Sequence, residues 1–480
     1  MSVVNRVLDR VVFYGLLVTM VLTAVPYGTV QPWWIALFEC WVLLLGLLAL
    51  TDLLTAKSGL PAGASLAVPA LILCLFIIFQ TLPLFGNDNS VLPGVRQSIS
   101  ADRFSTFQVA IKLFAMIVAG LLMMRYARSE SRLRLLVYTV ISVAAASALL
   151  GVFRQGGQGG PSWFFPLPNN GRGFAQFINR NHFGFLMEMG LGLTLGVLVR
   201  GSEGLQRYVI FLPAAIFLWI VLIISNSRGG IFASLCEVLF LIILLDPLRR
   251  FARTDDESHR GAFFAALAVR AILIVFLVLT FTYGVAWIGG EAVTSNIELT
   301  SSSFSEQGGH LQRENVSRKD IWSATWQLIK AHPVVGSGFG GYWIAITRYH
   351  NASGTYTPQE AHNDYLELLA SGGVIGALLV LWFFLRFVKA SHNTLRSPNR
   401  FVHAAALGAI TGIFGVMIHN VVDFGLHVSA NALLFTALVA IAGREGLQSQ
   451  VPQRVTSLAE WDPLRRPGEA DLLVHSSFTR

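Results

Sequence analysis

Long apolar runs set the first limit on what this chain can become. Stretches able to cross about 30 Å of hydrocarbon as helices begin near Val11, Trp34, Leu66, Phe107, Leu133, His182, Tyr208, Gly229, Ala265, Tyr365, Phe401 and Leu426. Inside a bilayer every backbone N–H and C=O must be satisfied within the segment itself, so runs of this kind fold as helices. They predict an all-α, polytopic membrane bundle of about twelve transmembrane helices. Only 13% of the residues are charged, about half the share of a soluble domain, which excludes a water-soluble globular protein. The first run follows Arg6 and Arg10, but no small-residue cleavage pattern closes it, and it reads as a span rather than a leader.

The net charge of +8 does not call for a nucleic-acid partner, because membrane proteins gather Lys and Arg in their cytoplasmic loops. Basic clusters indeed alternate along the chain, at Arg125 to Arg134, Arg200 and Arg207, Arg249 to Arg260, and Lys389 to Arg400. This pattern predicts cytoplasmic termini. It divides the chain into a membrane domain over residues 1–447 and a cytoplasmic tail over 448–480, punctuated by Pro452, Pro463 and Pro467. The one large outward loop, 289–363, is too long for a passive connection. Within it Ile321, Trp322, Thr325, Trp326 and Ile329 recur at helical spacing from Arg318, and His332 and Pro333 end that amphipathic helix. Cys40, Cys74 and Cys236 lie in apolar runs without paired spacing, which supports neither a disulfide framework nor a cysteine metal site.

The informative anomaly is arginine on the outward side. Arg154, Arg172 and Arg180 occupy a stretch with no acid between Glu130 and Glu188, where the inside bias predicts few positive charges. An anionic ligand is one counterpart, and snorkelling to lipid headgroups is the other. Arg228, in Ser227-Arg228-Gly229-Gly230, sits so tightly between two runs that its guanidinium stands at the outer interface. It calls for either a bound anion or an interhelical partner.

A second cluster, Glu360-Ala361-His362-Asn363-Asp364, closes the large loop. Imidazole is the natural general base near neutral pH, with flanking carboxylates to tune an apparent pKa of roughly 6 to 7. Glu360, His362 and Asp364 as a metal site lack a recognised ligand pattern, and Asn363 or Asp364 also suits a helix cap. Gly336 to Gly341 formally contains GxGxxG, but no strand precedes it, and a tight turn is expected instead of a nucleotide site. The last outward turn holds His419, Asn420, Asp423 and His427, where a carboxylate can orient His362.

Taken in order, Asn179-Arg180-Asn181-His182, Ser227-Arg228-Gly229-Gly230, Arg318-x-x-Ile321-Trp322 through Pro333-x-x-Gly336-x-Gly338, Ala361-His362-Asn363-Asp364-Tyr365-Leu366, and Gly372-x-x-x-Gly376 resemble the O-antigen ligase and O-antigen polymerase superfamily. The resemblance runs from about Leu150 to Val380. It implies a GT-C-like fold in the bacterial inner membrane and a periplasm-facing glycosyltransferase with no cofactor. The donor would be an undecaprenyl-pyrophosphate-linked glycan and the acceptor a glycan or lipid A-core. By the same resemblance, transfer is metal-independent and inverting, Arg180 and Arg228 bind the pyrophosphate, His362 is the base, and Asp423 fills the family's acidic position in the last loop. Arg172 joins the pyrophosphate set by charge alone; Glu360 and Asp364 are supporting residues. A polymerase or a protein-glycosylating relative would use the same residues. A glycolipid or anion transporter is the rival from another class, and it should place polar groups near the midplane.

Overall fold

The computed structural model describes residues 3–56, 59, 61, 63–83, 98–156, 173–201, 205–245, 271–284, 318–350 and 358–444. Among them the elements are α1 (Val3–Ala24), α2 (Pro32–Ala56), α3 (Ala67–Gln80), α4 (Arg103–Tyr126), α5 (Glu130–Gly156), α6 (Arg180–Arg200) and α7 (Gln206–Ile224). There follow α8 (Arg228–Leu245), α9 (Ala271–Gly284), α10 (Arg318–Ala331), α11 (Tyr342–Ala345), α12 (Asp364–Leu395), α13 (Arg400–His419) and α14 (Ser429–Ala442).

The all-helical expectation holds among the described residues. Nine helices among the described residues are long and apolar enough to cross a membrane. Shorter apolar helices, Ala64–Gln80, Ala271–Gly284 and Ser429–Ala442, stand at the other three expected positions. The 14 residues of α14 reach only about 21 Å at the rise of an α-helix. The described residues all belong to one unit, 1–446; the expected tail, 448–480, lies outside them.

Polar side chains start the helices where the sequence breaks its apolar runs. Asp102 accepts from the Phe104 and Ser105 amides at 3.1 Å each, Asn179 from Asn181 at 2.9 Å, and Asn363 from Tyr365 and Leu366 at 3.0 Å each. Each such cap satisfies amides that the first helical turn leaves unpaired. At the heart of the bundle α6 runs against α13, and their backbones nearly touch. A Cβ on Gly196 would lie 2.4 Å from the Gly408 Cα. Small residues bring membrane helices close enough for extensive dispersion contact. At the far end of α4, the buried Asp52 carboxylate accepts from Arg125 at 3.0 Å and from the Tyr126 hydroxyl at 2.9 Å.

The amphipathic helix expected after Arg318 is α10, which buries Arg318, Ile321, Ala324, Thr325 and Leu328. Beyond it the glycine-rich stretch is a turn, as expected. Gly336, Gly338 and Gly340 all have left-handed backbones, and Gly373 (φ 59°) kinks α12 to receive them. Ser337 and Gly338 donate to the Ala370 and Ser371 carbonyls at 2.8 and 3.0 Å. The Gln80 amide donates to Val335 at 2.7 Å and to Ser371 at 2.9 Å. The turn therefore fastens the large loop to α12 and α3.

A Cβ at Gly336 would stand 2.2 Å from the Ser371 carbonyl oxygen at φ +70°. Gly336→Ala is expected to lower stability by about 2 kcal/mol or more, read as a fall in the thermal transition of the detergent-solubilised protein. An unchanged transition would show that the turn is not a fixed anchor.

Candidate functional site

The starts of α6, α8, α10 and α12 and the turn after α13 meet around one carboxylate, Asp423. It is 1% exposed. Its Oδ2 accepts from the Asn181 side-chain amide at 2.5 Å and faces the Arg318 guanidinium at 4.0 Å. Its Oδ1 accepts from the Phe424 amide at 2.9 Å and lies 3.8 Å from His362 Nδ1 and 4.0 Å from His182 Nε2. The Phe424 ring stands edge-on between the two imidazoles, with centroids 4.8 Å from His362 and 5.0 Å from His182.

His362 is held from both sides. The Ala361 carbonyl before it accepts from Trp322 Nε1 at 3.1 Å, and the Ala361 amide donates to Glu367 at 2.9 Å. Asn363 after it caps α12. Between them His362 has φ 50°, a left-handed conformation that costs a non-glycine residue on the order of 1 kcal/mol. Such strain persists where surroundings over-determine it, often at functional positions. The α12 start is joined to the same turn, since the Asp364 amide donates to the Asn420 carbonyl at 2.9 Å.

Burial in this dry place governs protonation. It pushes the His362 imidazole down to about 4, a fall that Arg318 and His182 reinforce and Asp423 opposes. Burial alone would raise Asp423, but the flanking His362 and His182, with Arg318 and His419, outweigh it and hold the carboxyl at about 2. Above pH 5 the site thus contains a neutral imidazole beside an ionised carboxylate. The apparent pKa of 6 to 7 expected from the sequence is corrected by this burial.

The sequence-derived residues divide into two groups around this centre. Arg180 and Arg228 open α6 and α8 at neighbouring positions, near enough for their like charges to interact. Arg228 is exposed and Arg180 half-buried. The intervening Asn181 accepts from the Ser227 hydroxyl at 3.1 Å, tying the two helix starts together. Arg172 lies outside the described residues. Glu360 and Asp364, expected to tune His362, face His427 instead, at 3.3 and 3.6 Å. Glu367 joins them 3.7 Å from His427. Single ligand atoms of Glu360, Glu367 and His427 lie within 4.8 Å of one another, close enough to share a cation. That set differs from the Glu360, His362 and Asp364 set weighed from the sequence. Asp423, assigned to the last loop, is the neighbour of His362.

Several residues at this site were given no role from the sequence. Arg318 shares a stripe with Ile321, Thr325 and Leu328 at spacings of three, four and three residues, and a cation on the apolar face of an amphipathic helix was the signal. Deeper, His419 Nδ1 pairs with Glu188 Oε1 at 2.6 Å, and Glu237 is fully buried beside them in α8. Both acids lie inside apolar runs, where such a residue is itself a signal.

With His362 as base, the acid limb of a transfer-rate profile should fall near pH 4, leaving the rate level from about pH 5.5 to 8. Steady-state rates across that range provide the check, and a limb at 6 to 7 would show that burial does not set the titration.

No curated protein matches the chain. Residues 213–381, which carry Arg228, Arg318, Glu360, His362 and Asp364, match the family model described as O-antigen ligase.

Proposed function

We propose that this chain is a periplasm-facing glycosyltransferase that moves a glycan from undecaprenyl pyrophosphate to an acceptor hydroxyl, with lipid A-core as the acceptor. The observation that carries the reading is the buried His362–Asp423 pair, 3.8 Å apart, at the foot of two helix starts that present Arg180 and Arg228. A pyrophosphate leaving group needs fixed cations where negative charge develops. Arginine supplies a permanent charge and a bidentate fork for phosphate oxygens. His362, neutral, takes the acceptor's proton as the acceptor oxygen attacks the anomeric carbon. The bond from that carbon to the phosphate oxygen breaks, its electron pair leaves with the pyrophosphate, and the configuration inverts. Asp423 stabilises the imidazolium as it forms, and Arg318 keeps Asp423 ionised. No metal takes part in these steps. The outer ends of α6 and α8 face the periplasm, and both termini are cytoplasmic.

An O-antigen or exopolysaccharide polymerase would use the same atoms, differing only in an acceptor that is itself a lipid-linked glycan. A transporter is favoured by one observation, the burial of Glu188 and Glu237 within α6 and α8, since intramembrane acids mark ion or substrate pathways. Purified protein in vesicles that moves a labelled glycolipid across the bilayer without forming a new glycosidic bond would establish that reading instead.

Arg228→Lys keeps the charge but loses the fork, and is expected to lower product formed per unit of folded protein by at least about tenfold. His362→Gln should lower kcat by about 100-fold or more while donor binding stays near that of the unaltered protein. Weakened donor binding with normal turnover at saturation would move His362 from catalysis to binding.

A further inference from the structure

Glu188 and His419 have no part in the steps above, yet both are fully buried and hydrogen-bonded at 2.6 Å. We propose that this pair is a positioning element that fixes Arg180 and Arg228 relative to each other; the proposal rests on their assignment to the pyrophosphate. The geometry runs through both helix starts. Arg180, Gly184 and Glu188 follow one another at intervals of four on one face of α6, which sets the carboxylate about 12 Å along the helix from the arginine.

The His419 imidazole reaches that carboxylate from the end of α13 and is clamped in orientation. Phe185 stacks on it at 4.0 Å and 10°. Its edge fills the space left by two missing side chains. A Cβ on Gly184 would lie 3.2 Å from His419 Cε1 and 2.9 Å from the Ser227 hydroxyl. A Cβ on Gly229, the residue after Arg228, would lie 2.5 Å from His419 Nε2. The imidazole is therefore the floor on which the Ser227–Gly229 turn rests, and Glu188 sets its height and tilt. The His419 carbonyl also accepts from the Asp423 amide at 3.1 Å, so the residue that carries the ring also opens the Asp423 turn.

Packing alone does not explain the choice of residues. Apolar side chains of similar volume would fill this space without the desolvation that two ionisable groups suffer. What they would lack is a directional bond that locks the ring.

The test is a double-mutant cycle on binding of undecaprenyl pyrophosphate to the full chain in nanodiscs, with thermal stability measured alongside. Glu188→Met, of similar volume, should weaken binding about tenfold with no loss of thermal stability, and Glu188→Gln, which keeps a hydrogen-bonding group opposite Nδ1, should restore most of it. Arg228→Ala should also weaken binding, and the pair together should cost clearly less than the product of the two single effects. Strictly multiplicative effects, or a Glu188→Met defect that follows lost stability, would overturn the proposal while leaving the arginine assignment intact. Unchanged binding by Arg228→Ala alone would overturn both. If Glu188→Met does not fold, the same cycle with His419→Leu decides the question by the same outcomes.

Discussion

A carboxylate cannot stay ionised in a dry interior unless the fold surrounds it with donors and positive charge, and Asp423 is such a carboxylate. The side-chain amide of Asn181 and the backbone amide of Phe424 bind its oxygens, and Arg318 provides the permanent counter-charge at 4.0 Å. These partners come from α6, from the turn itself and from α10, three segments far apart in sequence. Removing any one would leave a buried charge under-compensated, which usually costs several kcal/mol. The arrangement of helix starts at this end of the bundle follows from that requirement.

The rest of the architecture keeps those starts in register. The glycine contacts of α6 with α13 bring Glu188 and His419 within bonding distance. The turn at Gly336 to Gly341, seated in the α12 kink, fixes the exit of the large loop, while Trp322 and Glu367 hold the backbone around Ala361. His362 thus owes its position to a helix, a loop and a cap acting together. Its left-handed backbone, φ 50°, is tolerated because every neighbour is pinned.

Much of this was legible in the sequence. Apolar length gave the helices, because a bilayer leaves no other way to satisfy backbone groups. The 3.6-residue period gave α10, and arginine against the inside bias singled out Arg180 and Arg228, which stand at the starts of α6 and α8. What the sequence could not supply was pairing in space. Glu360 and Asp364 lie within two residues of His362, yet α12 begins at Asp364 and turns both side chains toward His427. Asp423 is 61 residues away and becomes the neighbour because the turn after α13 packs beneath the loop. The dryness of that contact, which sets the protonation of His362, is a property of packing.

The convergence of helix starts has one more consequence. Each of α6, α8 and α12 starts at this site, and each start carries the equivalent of about half a positive charge. Part of the field that an approaching anion meets is therefore written in the main chain, where no side-chain replacement removes it. Near the exposed Arg228 mobile ions weaken this field, since charges are screened over about 8 Å at physiological ionic strength. Around the buried Asp423 they do not penetrate. The outer rim of the site is thus sensitive to salt, while its floor is insulated from the composition of the surrounding medium.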